Sequence, residues 1–324
     1  ETGKLFPTSN KAATVVSALV GRCQALGVAL ATGHRVAALT RTADGRLRLE
    51  HTHGTLLARR VVMATGGRSL PKSGSDGAGW EMLRALGHTV TDTHQALVPL
   101  VFTTDSPFAA LAGISHPAEL TITAGGSRRD RRSGSLLWTH VGASGPVVMD
   151  ASRHWVIAAA EGTPPELALS LFPGEDFESV DRRLTAIARE RPKLSLARLV
   201  ADAVPERAAA AFVRLAGLEP TTPNARLGRD ERRRLVRTLT ATALPVERPR
   251  GWNYAEVTAG GVPLAEIDYR TLASRVVPAL HVIGEMLDCD GRIGGFNFQW
   301  AWATGHLAGR AAARALLTPE GARP

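Results

Sequence analysis

The sequence predicts an α/β protein in which one domain is split by a long insertion. Three observations predict it. Short apolar runs that end in glycine, "VVMATGG" near residue 61 and "HVIGE" near residue 281, occur toward both ends of the chain and read as buried strands. Each is accompanied by a segment with helical periodicity. Between them the texture changes, first to strand-like stretches and then to charged helices, before the strand-and-glycine texture returns at Ala255.

Asn10 reads as an N-cap before "KAATVVSALVGRCQALG", where Val15, Val16, Leu19, Cys23 and Leu26 recur at helical spacing and Gly27 closes the segment. This pattern makes Cys23 a small core residue. "VALATG" then reads as a strand. Residues 34–67 read as a β-meander, with one turn at Asp44-Gly45 and another at His53-Gly54. It ends in the buried strand Val61-Val62-Met63-Ala64 and in Thr65-Gly66-Gly67. Bare backbone at a strand's carboxyl end lets a ligand approach, as open α/β sheets require, but strand-Gly-Gly serves equally as a tight turn. From Gly77 to Gly87 the pattern is that of a short helix with Trp80, Leu83 and Leu86 on one side.

From Gln95 to Met149 the chain is strand-like, with turns at Ala124-Gly125-Gly126 and Ser133-Gly134. From about Glu175 to Leu244 it is helical, charged and broken by prolines. The predicted organisation is therefore a first half at 1–94, an insertion at 95–254 (β-rich to 174, helical over 175–244) and a second half at 255–324. In the second half Leu280-His281-Val282-Ile283 reads as a buried strand, and Gly284 at its end allows close approach. Glu285 supplies an acceptor for sugar or polyol hydroxyls. Gly294-Gly295-Phe296-Asn297 opens a helix over Phe296–Leu317, whose free N–H groups and positive dipole end suit an anionic or electron-rich ring edge. Ala301, Gly305, Ala308 and Ala312 form a small-residue face for packing on a sheet, while Phe296, Trp300, Ala303 and Leu307 read as core.

Composition narrows the function. The 324 residues are 44% hydrophobic, and no uninterrupted apolar run nears the roughly 20 residues that span a bilayer. The formal charge of +9 raises nucleic acid as a partner, yet only four of the 39 basic residues are Lys, a compositional Arg bias. The clusters Arg128-Arg129-Asp130-Arg131-Arg132 and Arg229-Asp230-Glu231-Arg232-Arg233-Arg234 carry acids and no interleaved aromatics, so they read as solvated faces. Cys23 and Cys289 form neither CxxC nor zinc spacing, no metal site is expected, and the count fits a reducing cytosol. Cys289 reads as an apolar filler, with redox activity as the sharper alternative. The chain opens on "ETGKLFP" without Met and reads as an internal segment, so no targeting signal is read from it. Ser144 lacks a G-x-S-x-G setting, which removes a hydrolase reading.

Five ordered motifs carry a resemblance: "MATGGRSLPKSGSDGAG", "QALVPL", "WTHVGASGP", "EVTAGGVPLAEI" and "GEMLDCDGRIGGFNFQWAWATG". In this order they resemble the BaiN/YhiN family of flavoproteins, FAD-dependent oxidoreductases of the two-dinucleotide-binding type. The likeness runs from "KLFPTSNKA" to the last helix and implies a split, Rossmann-like FAD/NAD(P)-binding domain with an inserted β-barrel-like and helical module. It further implies that Ala64, Thr65, Gly66 and Gly67 pass the adenine-dinucleotide half of FAD. Glu285, with Asp288 close behind, would bind ribityl hydroxyls, and Gly294, Gly295, Phe296 and Asn297 would face the pyrimidine end of the ring. The implied activity is hydride transfer through flavin N5 between NAD(P)H and an organic small molecule, with reduction of a conjugated C=C bond as the narrower guess. The alternatives are a non-catalytic RNA-binding or scaffolding protein, or an inactive flavoprotein fragment.

His140 is the one histidine within a family motif, and is the catalytic candidate as proton donor beside a purely structural role. Glu256 is a weaker candidate of the same kind. Gln95, where the family has Pro, and Leu272-Ala273, where it tends to Met-Glu, are small departures. A larger one is that family members begin with a strand, a G-x-G-x-x-G turn and a helix that hold the FAD pyrophosphate. No such motif occurs here, and Gly74-Ser75-Asp76-Gly77-Ala78-Gly79 has the wrong spacing. The expectation is that the N-terminal unit is missing and that this chain alone binds FAD weakly or not at all.

Overall fold

The structure, a computed structural model, describes residues 3–317. The ends of the two predicted outer segments, 1–2 and 318–324, lie outside the described residues. The chain divides into two compact units, one of residues 1–67, 75–92 and 260–324, the other of 68–74 and 93–259.

The first unit begins with helix α1 (Ala12–Ala25), where a helix is predicted, but no residue of α1 is buried. Val16 and Leu19 are 60% and 56% exposed, and Cys23 is only partly covered. Periodicity reports a helix's apolar stripe and is silent on whether a neighbour covers it, so the core role expected for Cys23 does not hold. Among the described residues the strand predicted at 28–33 is also absent: Val28 and Leu30 are half exposed, and no described strand pairs with them. The meander is present as β1 (Val36–Arg41), β2 (Leu47–His51) and β3 (Gly54–Ala58), an antiparallel sheet in that order. Gly45 takes the positive φ (+80°) that the first turn requires. Strand β4 (Val61–Met63) follows, with Val61 and Met63 buried. Helix α2 (Ala78–Ala85) buries Trp80 and Leu83 as its spacing predicts.

The second unit holds β5 (His94–Ala96), β6 (Leu100–Phe102), β7 (Ser115–Ala124), β8 (Ser127–Thr139), β9 (Gly142–Ser144) and helix α3 (Pro146–Ala160). It continues through β10 (Pro165–Ser170), helices α4 (Phe177–Glu190), α5 (Leu196–Val200), α6 (Glu206–Leu215) and α7 (Arg229–Thr240), then β11 (Thr242–Ala243), β12 (Val246–Pro249) and β13 (Val257–Ala259). Seven strands form one antiparallel sheet in the order β11-β10-β7-β8-β9-β6-β12. Its outer strands β11 and β12 do not pair with each other, so the barrel-like closure implied by the resemblance is corrected to an open sheet. Strand β13 pairs with β5 separately.

Gly125 and Gly126, at φ +58° and +74°, make the predicted β7–β8 turn. The turn expected at Ser133-Gly134 is instead the middle of β8, where Gly134 pairs with Ala118 and a Cβ would lie 3.4 Å from Val147 of α3. Glycine there admits a helix rather than a chain reversal. The strand texture expected to reach Met149 stops earlier, because Gly145 (φ +90°) ends β9 and Pro146 takes the first helical position of α3.

The core of this unit centres on Trp138, fully buried and stacked on Phe108 at 4.9 Å. Its Nε1 donates to Nε2 of buried His116 (3.0 Å), and Nδ1 of His116 lies 2.8 Å from the Pro117 carbonyl. A ring that accepts at Nε2 and donates at Nδ1 is neutral, and burial holds His116 below the ordinary imidazole value of 6.5. Burial also lowers His154 and, in the first unit, His281. In each case the unfolded chain binds the proton more readily, so stability is full above the unfolded value and falls as pH drops below about 6.5. Thermal unfolding is therefore expected at a lower temperature at about pH 5 than at about pH 7.5, with a smaller difference in His116→Gln. An unchanged midpoint would count against this account of the histidines.

The chain re-enters the first unit through β14 (Leu280–Val282), which is wholly buried and pairs in parallel with β4. Helix α8 (Phe296–Leu317) closes the unit. Thr304, Ala308 and Ala312 are buried and Gly305 faces Ile283, so the small-residue face packs as predicted. Phe296 and Leu307 are 53% and 40% exposed, and Ala303 is exposed. Of the four predicted core residues on α8, only Trp300 packs on the core, because the small-residue face alone meets the sheet.

Candidate functional site

Parallel pairing sets Val282 beside Met63, so the segments leaving β14 and β4 emerge together at their carboxyl ends. Ala64, Thr65, Gly66 and Gly67 leave one strand, and Gly284, Glu285 and Asp288 lie beyond the other. Met286, which the sequence reading did not single out, ties them. Its Sδ takes the Thr65 N–H at 3.4 Å and the Thr65 hydroxyl at 3.3 Å, and its carbonyl takes Trp80 Nε1 at 2.9 Å and the Val262 N–H at 2.9 Å.

The glycines sort by what fills the space beside them. A Cβ on Gly79 would overlap Thr65 Oγ1, and one on Gly261 would lie 2.7 Å from the Met286 carbonyl. Gly66 combines φ +74° with Ser75 Oγ at 2.9 Å from its Cβ position. At all three the neighbour that excludes a side chain is the protein itself. Gly284, at φ +62°, is where α8 crosses the strand end: its N–H donates to Thr304 Oγ1 (3.0 Å) and its carbonyl accepts from Trp300 Nε1 (3.1 Å). Gly295, at φ +91°, has open space beside it.

Asp288 accepts from the Thr91 hydroxyl at 3.1 Å, and Glu285 is partly buried. The Asn297 side chain accepts from Gly291 N (2.7 Å) and donates to Gly291 O (3.2 Å), closing the loop ahead of α8. What that loop presents is therefore backbone, the exposed Arg292 and the half-exposed Phe296 ring, with the Arg292 guanidinium 5.7 Å from the ring centroid. Lys4 reaches Gly294, its Nζ 3.4 Å from the Cβ position.

His140 belongs to the second unit. It is exposed on the turn between β8 and β9, in a surface hollow of about 390 Å³. Glu256, in the same unit, is pushed above the usual carboxylate range by burial. Cys289 is partly buried. Among the described residues no helix is long and apolar enough to cross a membrane, and no three His, Cys, Asp or Glu side chains cluster to hold a metal.

One arrangement resembles a hydrolytic triad. Ser274 Oγ lies 2.8 Å from His88 Nε2, and His88 Nδ1 lies 2.6 Å from Glu266. Ser274 Oγ also accepts the N–H groups of Val276 (3.0 Å) and Val277 (2.7 Å), so its own hydrogen is directed at His88. Ser274 is 5% exposed. Burial raises Glu266, and bonds from Thr89 and His88 more than offset it, leaving it below the usual range. With the nucleophile covered and its oxygen occupied, this is a clasp between distant segments rather than a reactive site. Ser274→Ala is expected to destabilise the first unit by about 1–3 kcal/mol, because buried donors lose their acceptor. Denaturant unfolding followed by circular dichroism checks it, and a loss near zero would contradict the clasp.

The profile of the family described as "HI0933-like protein Rossmann domain" matches residues 1–311. The 3-dehydro-bile acid delta(4,6)-reductase of Clostridium scindens is 32% identical over 311 residues, 96% of this chain and 76% of that protein. The ribosomal RNA dihydrouridine synthase of Escherichia coli is 32% identical over 307 residues, 93% of this chain and 72% of that protein. The enzyme of that name from Haemophilus influenzae is 28% identical over 311 residues, 94% and 74% of the two chains.

Proposed function

The chain belongs to the HI0933-like Rossmann domain family of flavoproteins, and on that premise we propose that it is an FAD-dependent oxidoreductase that reduces a C=C bond conjugated to a carbonyl. The carrying observation is its 32% identity, across nearly the whole chain, to a reductase acting on a bile-acid ketone. Bound FAD, re-reduced by NAD(P)H, supplies the hydride.

The residues present suit part of this cofactor. Gly294 and Gly295, both at positive φ, bring bare backbone to the start of α8, where the helix dipole favours negative charge on a reduced ring. Beside them the half-exposed Phe296 ring carries the Arg292 guanidinium over it at 5.7 Å, a cation next to the ring edge. Glu285, with Asp288 oriented by Thr91, would hold the ribityl hydroxyls, and Ala64–Gly67 would follow the dinucleotide. We assign the first unit to FAD and the second to the inserted module. For the pyrophosphate the fit is poor: the sequence contains no G-x-G-x-x-G, and the space at Gly66 and Gly79 is filled by Ser75 and Thr65.

The test is FAD titration followed by flavin fluorescence. Saturable quenching is expected, weakened about tenfold in Glu285→Gln by loss of a charge-assisted bond. No saturable signal, and no steroid enone reduction with NADH or NADPH, would overturn the reading. A second reading keeps the chemistry and changes the substrate. Two relatives are named for ribosomal RNA, and the C5=C6 bond of uracil is conjugated to a carbonyl. An RNA-borne substrate would show binding that falls steeply with salt.

A further inference from the structure

The hollow beside His140 carries chemistry of its own. It lies wholly within the second unit and is lined by the polar Thr103, Thr104, Ser106, His140, Glu247 and Arg248 and by the apolar Phe102, buried, and Val141, half exposed. Its volume, about 390 Å³, lies within the range of small-molecule sites.

The backbone around it is tightly held. Phe102 N donates to Val141 O (2.9 Å), Thr103 N to Pro245 O (2.9 Å) and Ser106 N to Thr103 O (3.1 Å). Gly142 is needed for β9 to lie this close to β6, since a Cβ there would overlap the Leu100 carbonyl.

Two features distinguish the hollow from an ordinary charged surface. Consecutive residues of a regular strand point to opposite faces, yet Glu247 and Arg248 both line it. The cause is a β-bulge: Val246 pairs with Phe102 and Arg248 with Val101, leaving Glu247 as an extra residue. Bulges of this kind re-aim side chains and recur beside binding sites. The second feature is that the charges are unspent. Among the described residues Arg248 makes only a 3.4 Å bond to the neighbouring Pro249 carbonyl, and Glu247 and His140 have no hydrogen bond or ion pair. In this same unit Arg131 pairs with Glu119 and Arg232 with Asp181.

We propose that this hollow is a binding site for a small organic oxyanion. Arg248 and His140 take the carboxylate or phosphate, and the hydroxyls of Thr103, Thr104 and Ser106 complete its shell. Glu247 accepts from an adjacent O–H or N–H of the same ligand, and the apolar lining seats its body. The inference does not rest on the flavin reading, since binding needs neither cofactor nor turnover.

Isothermal titration of the chain with cholate, with uridine 5′-monophosphate and with inorganic phosphate tests it. At least one organic probe is expected to bind saturably. Which of the two does so identifies the source of the oxyanion, a steroid carboxylate or a nucleotide phosphate. Arg248→Gln should weaken that probe about tenfold, the value of one charge-assisted bond. For a probe stripped of its donor group, Glu247→Gln should tighten binding about two- to threefold by removing a like charge. Arg189→Gln, on the exposed face of α4, should change nothing. Folding of each variant is checked by circular dichroism. No saturable binding of either organic probe below about 10 mM would overturn the proposal. Equal losses in Arg248→Gln and Arg189→Gln would do the same, and so would binding of inorganic phosphate alone.

Discussion

Trp80→Ala is expected to lower the stability of the first unit by about 3–5 kcal/mol, the cost of emptying a large aromatic site in a packed core. Trp80 is 2% exposed in the core cluster that also holds Met63, Leu83, Leu280 and Val282, so its removal leaves a cavity in the core of the first unit. It also removes the bond from Nε1 to the Met286 carbonyl. Trp80→Phe separates these effects, since it keeps most of the volume and loses only the bond. Because Met286 O retains the Val262 N–H, that variant should lose only about 1 kcal/mol more than its small volume change demands. Denaturant unfolding by circular dichroism gives both numbers. Because Thr65 rests on Met286, the alanine variant should also weaken any flavin affinity. A loss under about 1 kcal/mol for Trp80→Ala would mean that the strand ends are held by something else.

Gly79→Ala sets two effects of opposite sign against each other. Gly79 lies in the first turn of α2 without a positive φ, so helix propensity alone predicts a gain of up to about 1 kcal/mol. The added methyl, however, would overlap Thr65 Oγ1 and stand 2.9 Å from Met286 Cε. The methionine methyl can turn aside, but the hydroxyl belongs to a β-branched side chain bonded to Met286 Sδ. Overpacking typically costs about 1–3 kcal/mol, so a net loss is expected. Thr65→Gly removes the obstacle, so in that background Gly79→Ala should turn neutral or stabilising. A double-mutant cycle reads the coupling. Stabilisation by Gly79→Ala in the parent background would show that helix and strand are not packed as described.

Much of the candidate site was legible because its signals are local. The apolar runs at Val61–Met63 and Leu280–Val282, each ended by glycine, mark buried strands wherever they occur. Their parallel pairing follows from the helices and long crossover between them. The Asp44-Gly45 and Gly125-Gly126 turns follow from stereochemistry alone. Pro146 was an unused signal of the same kind, a first-turn proline that announces α3. The misses lie where burial decides. A strand at 28–33 needed an edge to pair with, and the stripe of α1 needed a cover, neither of which is written into those residues.

The glycines show where local reading stops. In sequence, Gly66 and Gly295 read alike as places where a ligand could approach, and nothing local separates Gly79 and Gly261 from them. In the fold the first three are bare because Ser75, Thr65 and the Met286 backbone occupy the space, and only Gly295 faces open space. The Ser274–His88–Glu266 clasp joins residues 178 and 186 positions apart, and the bulge at Glu247 depends on the register of β12 against β6. The sequence by itself determined the glycine-ended strands β4 and β14, the Asp44-Gly45 and Gly125-Gly126 turns and the family, because periodicity and turn stereochemistry act over a few residues. Only the tertiary structure decided which glycines serve packing, which histidine lines a hollow and which charges are left unpaired. Those depend on contacts between segments far apart in the chain, whose energies no local pattern records.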